Sequence, residues 1–165
     1  MVLDEKKIEY QPLIENLWRP SEKFLIMNPA GFFPVIKTKN GQLIVGAQVI
    51  IEYFEEHTPN HELMKNTSKH EIRRIVHWFD SSFKNEVILP LLKEKILKRY
   101  QNLLPDSEQI RIARSNLKYH LDYFNYLISQ NDYLVDDTIS YADFYYASSL
   151  SVLDYIDELN FYQFD

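Results

Sequence analysis

Residues 28–53 read NPAGFFPVIKTKNGQLIVGAQVIIEY, and this stretch decides the fold. All three glycines of the 165-residue chain, Gly31, Gly41 and Gly46, fall inside it. The backbone freedom that glycine supplies is therefore confined to one short region. The Asn40-Gly41 dipeptide lies between apolar runs at 35–37 and 43–45, which is the strongest hairpin signal in the chain. Pro34 stands at the head of the first run. From Ala47 onward Val49, Ile50, Tyr53 and Phe54 recur at helical spacing, so the second strand is expected to feed an amphipathic helix.

On the N-terminal side, residues 8–14 place Tyr10, Leu13 and Ile14 in an extended-looking run broken by Pro12, which predicts an edge strand. Arg19-Pro20-Ser21 introduces a short helix over 22–27. Residues 58–66 carry Thr, Pro, Asn and His and read as a linker.

Beyond the linker every pattern is helical. One face from Thr67 carries Ile72, Ile75, Val76, Phe79 and Phe83, and Pro90 is expected to kink or interrupt that helix. Leu104-Pro105-Asp106 marks a break. A second helix stacks Ile110, Ala113, Leu117, Leu121, Phe124 and Ile128. A third starts at Ser140 and is apolar on most sides, as befits the centre of a bundle. Ser140 and Asp143 have capping-box spacing: the hydroxyl serves the Asp143 amide and the carboxylate returns to the Ser140 amide.

Composition narrows the class. Hydrophobic residues make up 45% and aromatics 15%, enough for packed cores. A net charge of −6 argues against nucleic-acid binding. The absence of cysteine excludes disulfides, thiolate catalysis and cysteine-ligated zinc. No apolar run approaches a membrane span, and the first ten residues carry no signal-peptide core. The expectation is a cytoplasmic protein with no membrane partner.

Taken together, these pieces resemble the glutathione transferase superfamily. Asn28-Pro-Ala-Gly-Phe-Phe-Pro-Val-Ile is similar to the family's N-P-x-G-x-V-P-V-L segment, and Ser140-x-x-Asp143 to the capping motif of its helical domain. The resemblance implies a thioredoxin-like α+β N-terminal domain over 1–57, incomplete because its first strand is missing. A linker at 58–66 and an all-α C-terminal domain over 67–165, shortened at its end, would follow. It also implies that Pro34 is a cis proline, that the Phe33 backbone faces the ligand's cysteinyl unit, and that the chain forms a homodimer. The segments Trp78-Phe79-Asp80-x-x-Phe83, Leu117-x-x-His120-Leu121-Asp122-Tyr123 and residues 149–156 resemble, more narrowly, the bacterial FtsZ-localised protein A-like subgroup. That resemblance implies binding to FtsZ-type cell-division filaments in place of conjugation.

In such a fold glutathione is held by a Glu/Gln-Ser pair opening the third helix and activated by a hydroxyl or thiol from the first strand or the helix after it. Here Gly46-Ala47 stands where the pair belongs. Neither side chain can hydrogen-bond, and each lost bond is worth about 0.5–1.5 kcal/mol. The first ten residues are similar to the end of the family's first helix, so no activating residue is assigned. Phe33, Pro34, Val35, Gly46 and Ala47 are left as a residual glutathione groove. No catalytic residue and no required cofactor follow, glutathione being at most a weak ligand. The reading is a non-catalytic interaction module. Its alternatives are a glutathione-dependent transferase whose catalytic strand lies upstream, and a degenerate gene remnant.

The remaining polar residues read as structural. His57 and His61 flank Pro59 and Asn60, while His70 and His77 are seven apart, so neither pair has zinc-site spacing. His120, within an apolar stripe, reads as a hydrogen-bonded core residue. Arg111, Arg114 and Lys118 read as a solvated face, as do Arg73 and Arg74. Trp18 is the candidate for a partner surface.

Overall fold

The computed structural model describes residues 1–58, 62–65 and 67–159. Parts of the expected linker (59–61 and 66, with His61) and the last stretch of the expected helical domain (160–165) lie outside the described residues. The chain divides into two compact units, Met1–Leu63 and Met64–Asp165.

The first unit contains helices α1 (Val2–Glu5) and α2 (Glu22–Met27), strands β1 (Val35–Lys37) and β2 (Leu43–Val45), and helix α3 (Ala47–His57). The strands pair antiparallel, with Val35 opposite Val45 and Lys37 opposite Leu43. Gly41, at φ +87°, makes the turn between them, as its pairing with Asn40 predicts. The alternation along β2 buries Ile44, which packs with Ile50 and Phe54 of α3. Lys6, just after α1, is buried with its ammonium 2.7 Å from the Glu55 carboxylate of α3. Burial of two charges is tolerable when they meet at such a distance.

The edge strand expected over 8–14 does not form. A strand needs a partner ladder, and the described sheet contains only β1 and β2. Just downstream, local side chains capture the backbone. Asn16 Oδ1 accepts from the Trp18 and Arg19 amides at 2.9 and 3.0 Å, and Glu15 accepts from the Ser21 amide at 2.8 Å. Leu13 and Ile14 are left exposed.

The second unit is helical. Helix α4 runs unbroken over residues 69–100. It begins as α-helix at Lys69–Trp78 and widens into π-type turns at Phe79–Ile88 and Lys93–Leu97. Helices α5 (Ser107–Gln130) and α6 (Tyr141–Tyr155) follow. The core joins Ile75, Phe79, Phe83 and Val87 of α4 to Ala113, Leu117 and Phe124 of α5 and Ala142 and Leu153 of α6.

Pro90 does not interrupt α4, which stays helical through it, but the helix type changes there: the π-type turns stop at Ile88 and an α-helical turn, Leu89–Leu92, takes over at the proline. Just before it the Leu89 amide reaches back five residues to the Lys84 carbonyl. The Glu86 carbonyl, which an ordinary residue at position 90 would bond in an α-helix, accepts from Asn116 Nδ2 of α5 at 3.3 Å. The buried stripe of α5 is Ala113, Leu117, His120 and Phe124. Ile110 and Leu121 pack half-buried against the same core, as their spacing predicts, His120 joins them as the expected hydrogen-bonded core residue, and Ile128 at the end of the expected stripe is exposed. Helix α6 is not apolar all round, since Ser148, Ser151, Asp154 and Tyr155 are exposed.

Candidate functional site

The residues expected from sequence to form a residual groove lie next to the turn that precedes β1. Asn28 caps the C-terminus of α2 and is buried. Its side-chain amide donates to the Phe32 carbonyl at 2.8 Å, and its own carbonyl accepts from the Gly31 amide at 3.0 Å. This closes a tight turn in which Gly31 takes φ +67°. Phe33 then stacks on Phe24 of α2, ring centroids 4.6 Å apart, and the Phe33–Pro34 peptide is cis.

Pro34 and Gly46 meet across the mouth of the hairpin. The Gly46 amide donates to the Pro34 carbonyl at 2.9 Å, one step beyond the Val35–Val45 pair. Thus Phe33, Pro34, Val35, Gly46 and Ala47, the five groove residues inferred from sequence, gather at one end of the sheet. Gly46 has φ +89° and ψ 140°, a conformation nearly reserved for glycine. Nothing lies within 4 Å of where its Cβ would be, so backbone geometry, not crowding, selects the glycine. Its carbonyl accepts the first turn of α3 from the Ile50 amide at 3.0 Å.

The N-terminus of α3 has no side-chain cap and no acidic residue in its first turn. Backbone amides there can attract a carboxylate. The side chains at 46 and 47 add no hydroxyl, amide or charge to that attraction.

The remaining candidates are placed as follows. Trp18 is half-exposed in the loop built by Asn16 and Glu15. Ser140 and Asp143 form the capping box of α6, with Asp143 Oδ2 accepting from both the amide and the hydroxyl of Ser140 at 2.8 Å. Asp143 Oδ1 also accepts from the Leu134 amide at 2.9 Å, so the cap fixes the loop before the helix as well. His120 is buried between Trp78 and Glu86. His57 sits on Tyr53, with Nδ1 2.9 Å from that residue's carbonyl. Among the described residues no group of three or more His, Asp or Glu could hold a metal ion, and no helix is long and apolar enough to cross a membrane. Sequence reasoning missed the supports of the groove, namely the Phe24–Phe33 stack and the Asn28 bridge. The Asn28-Pro29 pair was their only trace.

Residues 1–57 match the family model of the glutathione S-transferase N-terminal domain, and residues 92–163 match that of the C-terminal domain. The chain is 33% identical to FtsZ-localized protein A of Caulobacter vibrioides over 96% of its own length and 72% of that protein's. The chain belongs to the glutathione S-transferase family. Within the family it is also similar to the maleylacetoacetate isomerase of Pseudomonas aeruginosa, 30% identical over 64% of this chain and 51% of that one. Among solved structures, a glutathione S-transferase from Rhodospirillum rubrum F11 superposes with a TM-score of 0.91 at 40% identity, over 98% of this chain and 74% of that one. FzlA from C. crescentus superposes with a TM-score of 0.91 at 32% identity, over 99% and 75%. The transferase fold, a thioredoxin-like N-terminal domain followed by a helical one, is therefore the fold of this chain.

Proposed function

We propose that this glutathione transferase homologue is a non-catalytic binding module of FtsZ-type division filaments, acting as a cytoplasmic homodimer. The observation that carries the non-catalytic half is the Gly46-Ala47 opening of α3. The reading is supported by the backbone at this opening, where the Gly46 amide is tied to the Pro34 carbonyl. No side chain at either position can hold the γ-glutamyl end of the tripeptide. The filament half is supported by similarity to FtsZ-localized protein A along nearly the whole chain.

No cofactor is required in this reading, and glutathione is a weak ligand at most. A second reading, a glutathione-dependent transferase, is favoured by the 40% identity to the R. rubrum glutathione S-transferase. Co-sedimentation separates the two. The chain is mixed with polymerised FtsZ, centrifuged, and compared with unpolymerised FtsZ. Enrichment in the polymer pellet is expected. A chain left in the supernatant in both cases overturns the filament reading. Turnover of glutathione with an electrophile by the same preparation overturns the non-catalytic one.

A further inference from the structure

The second unit carries a feature that the groove does not use. Helix α4 ends in a Schellman turn: Asn102 takes φ +56°, its amide donates to the Arg99 carbonyl at 3.2 Å, and the Leu103 amide donates to the Lys98 carbonyl at 2.8 Å. Leu103, Leu104 and Pro105 follow, and Asp106 caps α5 by accepting from the Glu108 amide at 2.9 Å. The turn borders a depression of about 550 Å³, largely open to solvent, with Leu103, Leu104, Pro105 and Ile110 on its walls. At its rim Leu104 is 89% exposed and Leu103 55%. Two adjacent large apolar side chains left open beside a depression offer a partner apolar contact area.

The charges around the depression are unequally satisfied. Glu94 is spent: its Oε2 lies 2.5 Å from Lys98 Nζ and accepts from the Asp106 amide at 2.7 Å. Lys95 is paired with Glu158 at 2.8 Å. Arg99 is exposed and lines the depression. Among the described residues this leaves a guanidinium without a carboxylate partner beside an apolar hollow. Its complement is a carboxylate next to an apolar side chain, and guanidinium–carboxylate pairs have the geometry to fix such a ligand. The Schellman turn, the Asp106 cap and the Glu94 bridge hold the hollow in shape, which lowers the ordering cost of binding.

We propose that the depression at the α4–α5 turn is a docking site for an acidic peptide segment of a partner protein, with an apolar side chain in the hollow and a carboxylate on Arg99. The residues of this site all belong to the second unit, and the inference does not depend on the filament reading.

The probe is a fluorescein-labelled peptide of alternating glutamate and leucine, titrated with the full chain and followed by anisotropy. Saturable one-to-one binding is expected, tightening as salt is lowered. Arg99→Glu and Leu104→Asp are each expected to weaken it by about tenfold or more, while Lys118→Glu, on an exposed part of α5, leaves it unchanged. Both test residues are exposed, and circular dichroism checks that the variants keep their fold. The proposal is overturned if the wild-type chain shows no saturable binding or if Arg99→Glu binds equally well. Equal affinity for a peptide with serine in place of leucine also overturns it, because charge alone would then account for the contact.

Discussion

The indole Nε1–H of Trp78 donates to Nδ1 of His120 at 2.8 Å, between α4 and α5. An indole nitrogen can only donate, so Nδ1 is the acceptor and the ring proton lies on Nε2. That nitrogen is 3.2 Å from Glu86 Oε2, which completes a relay of donors. His120 is thus fully satisfied while being 1% exposed. Tyr123 stacks on Trp78 with ring centroids 4.5 Å apart and fixes the indole plane.

Removing the donor leaves a buried acceptor without a partner. Trp78→Phe is therefore expected to destabilise the chain by about 1–3 kcal/mol from the unmet hydrogen bond, with lost packing in addition. Urea denaturation followed by circular dichroism measures this. An unchanged midpoint contradicts the role assigned to the pair.

The capping box of α6 offers a second test. Asp143 receives the Ser140 amide, the Ser140 hydroxyl and the Leu134 amide. Asp143→Ala orphans all three donors and is expected to cost about 1–3 kcal/mol in thermal or urea unfolding. Asp143→Asn keeps an acceptor oxygen and should cost less than the alanine variant.

Acid stability follows from Glu158. Burial pushes its carboxyl up, but hydrogen bonds from Arg114 and Lys95 outweigh this and leave it below the ordinary glutamate value. In the unfolded chain Glu158 therefore takes up its proton at higher pH than in the folded chain. Its stabilising contribution is complete above the ordinary carboxylate range and is lost as pH falls through the lowered folded value. Urea titrations at about pH 7 and about pH 3 should show a smaller acid-induced loss for Glu158→Gln than for wild type. Equal losses contradict the assignment.

Much of this was legible in the chain, and the failures have physical causes. The hairpin, the α3 start and the α6 cap depend on neighbours within four residues, so Asn40-Gly41, Gly46 and Ser140-x-x-Asp143 announced them. The run at 8–14 looked like a strand, but pairing is a property of two segments, and local capture by Glu15 and Asn16 lies outside the run itself. Pro90 looked like a break because its missing bond is visible in sequence and the compensating amide of Asn116 is 26 residues away. The α5 stripe is legible from spacing through Phe124, with Leu121 half-buried against the core, and fails at Ile128, which is exposed. His120 is the residue of that stripe supplied with two polar partners in the core. In the groove, Pro34 and Gly46 could be found from their type, whereas the Phe24–Phe33 stack that supports them could not.

The central claim is that the groove at Pro34, Gly46 and Ala47 keeps the backbone of a glutathione site without its side-chain grip. Supplying the missing hydroxyl should restore part of that grip, so Ala47→Ser is expected to strengthen glutathione binding by about 0.5–1.5 kcal/mol, or roughly two- to tenfold. Calorimetric titration of glutathione into the wild-type chain, with Ala47→Ser alongside, tests the claim most directly. The predicted result is no saturable heat for wild type into the millimolar range and a measurable gain for the serine variant. Saturable one-to-one binding by wild type at micromolar glutathione, unaltered by the serine, would contradict it.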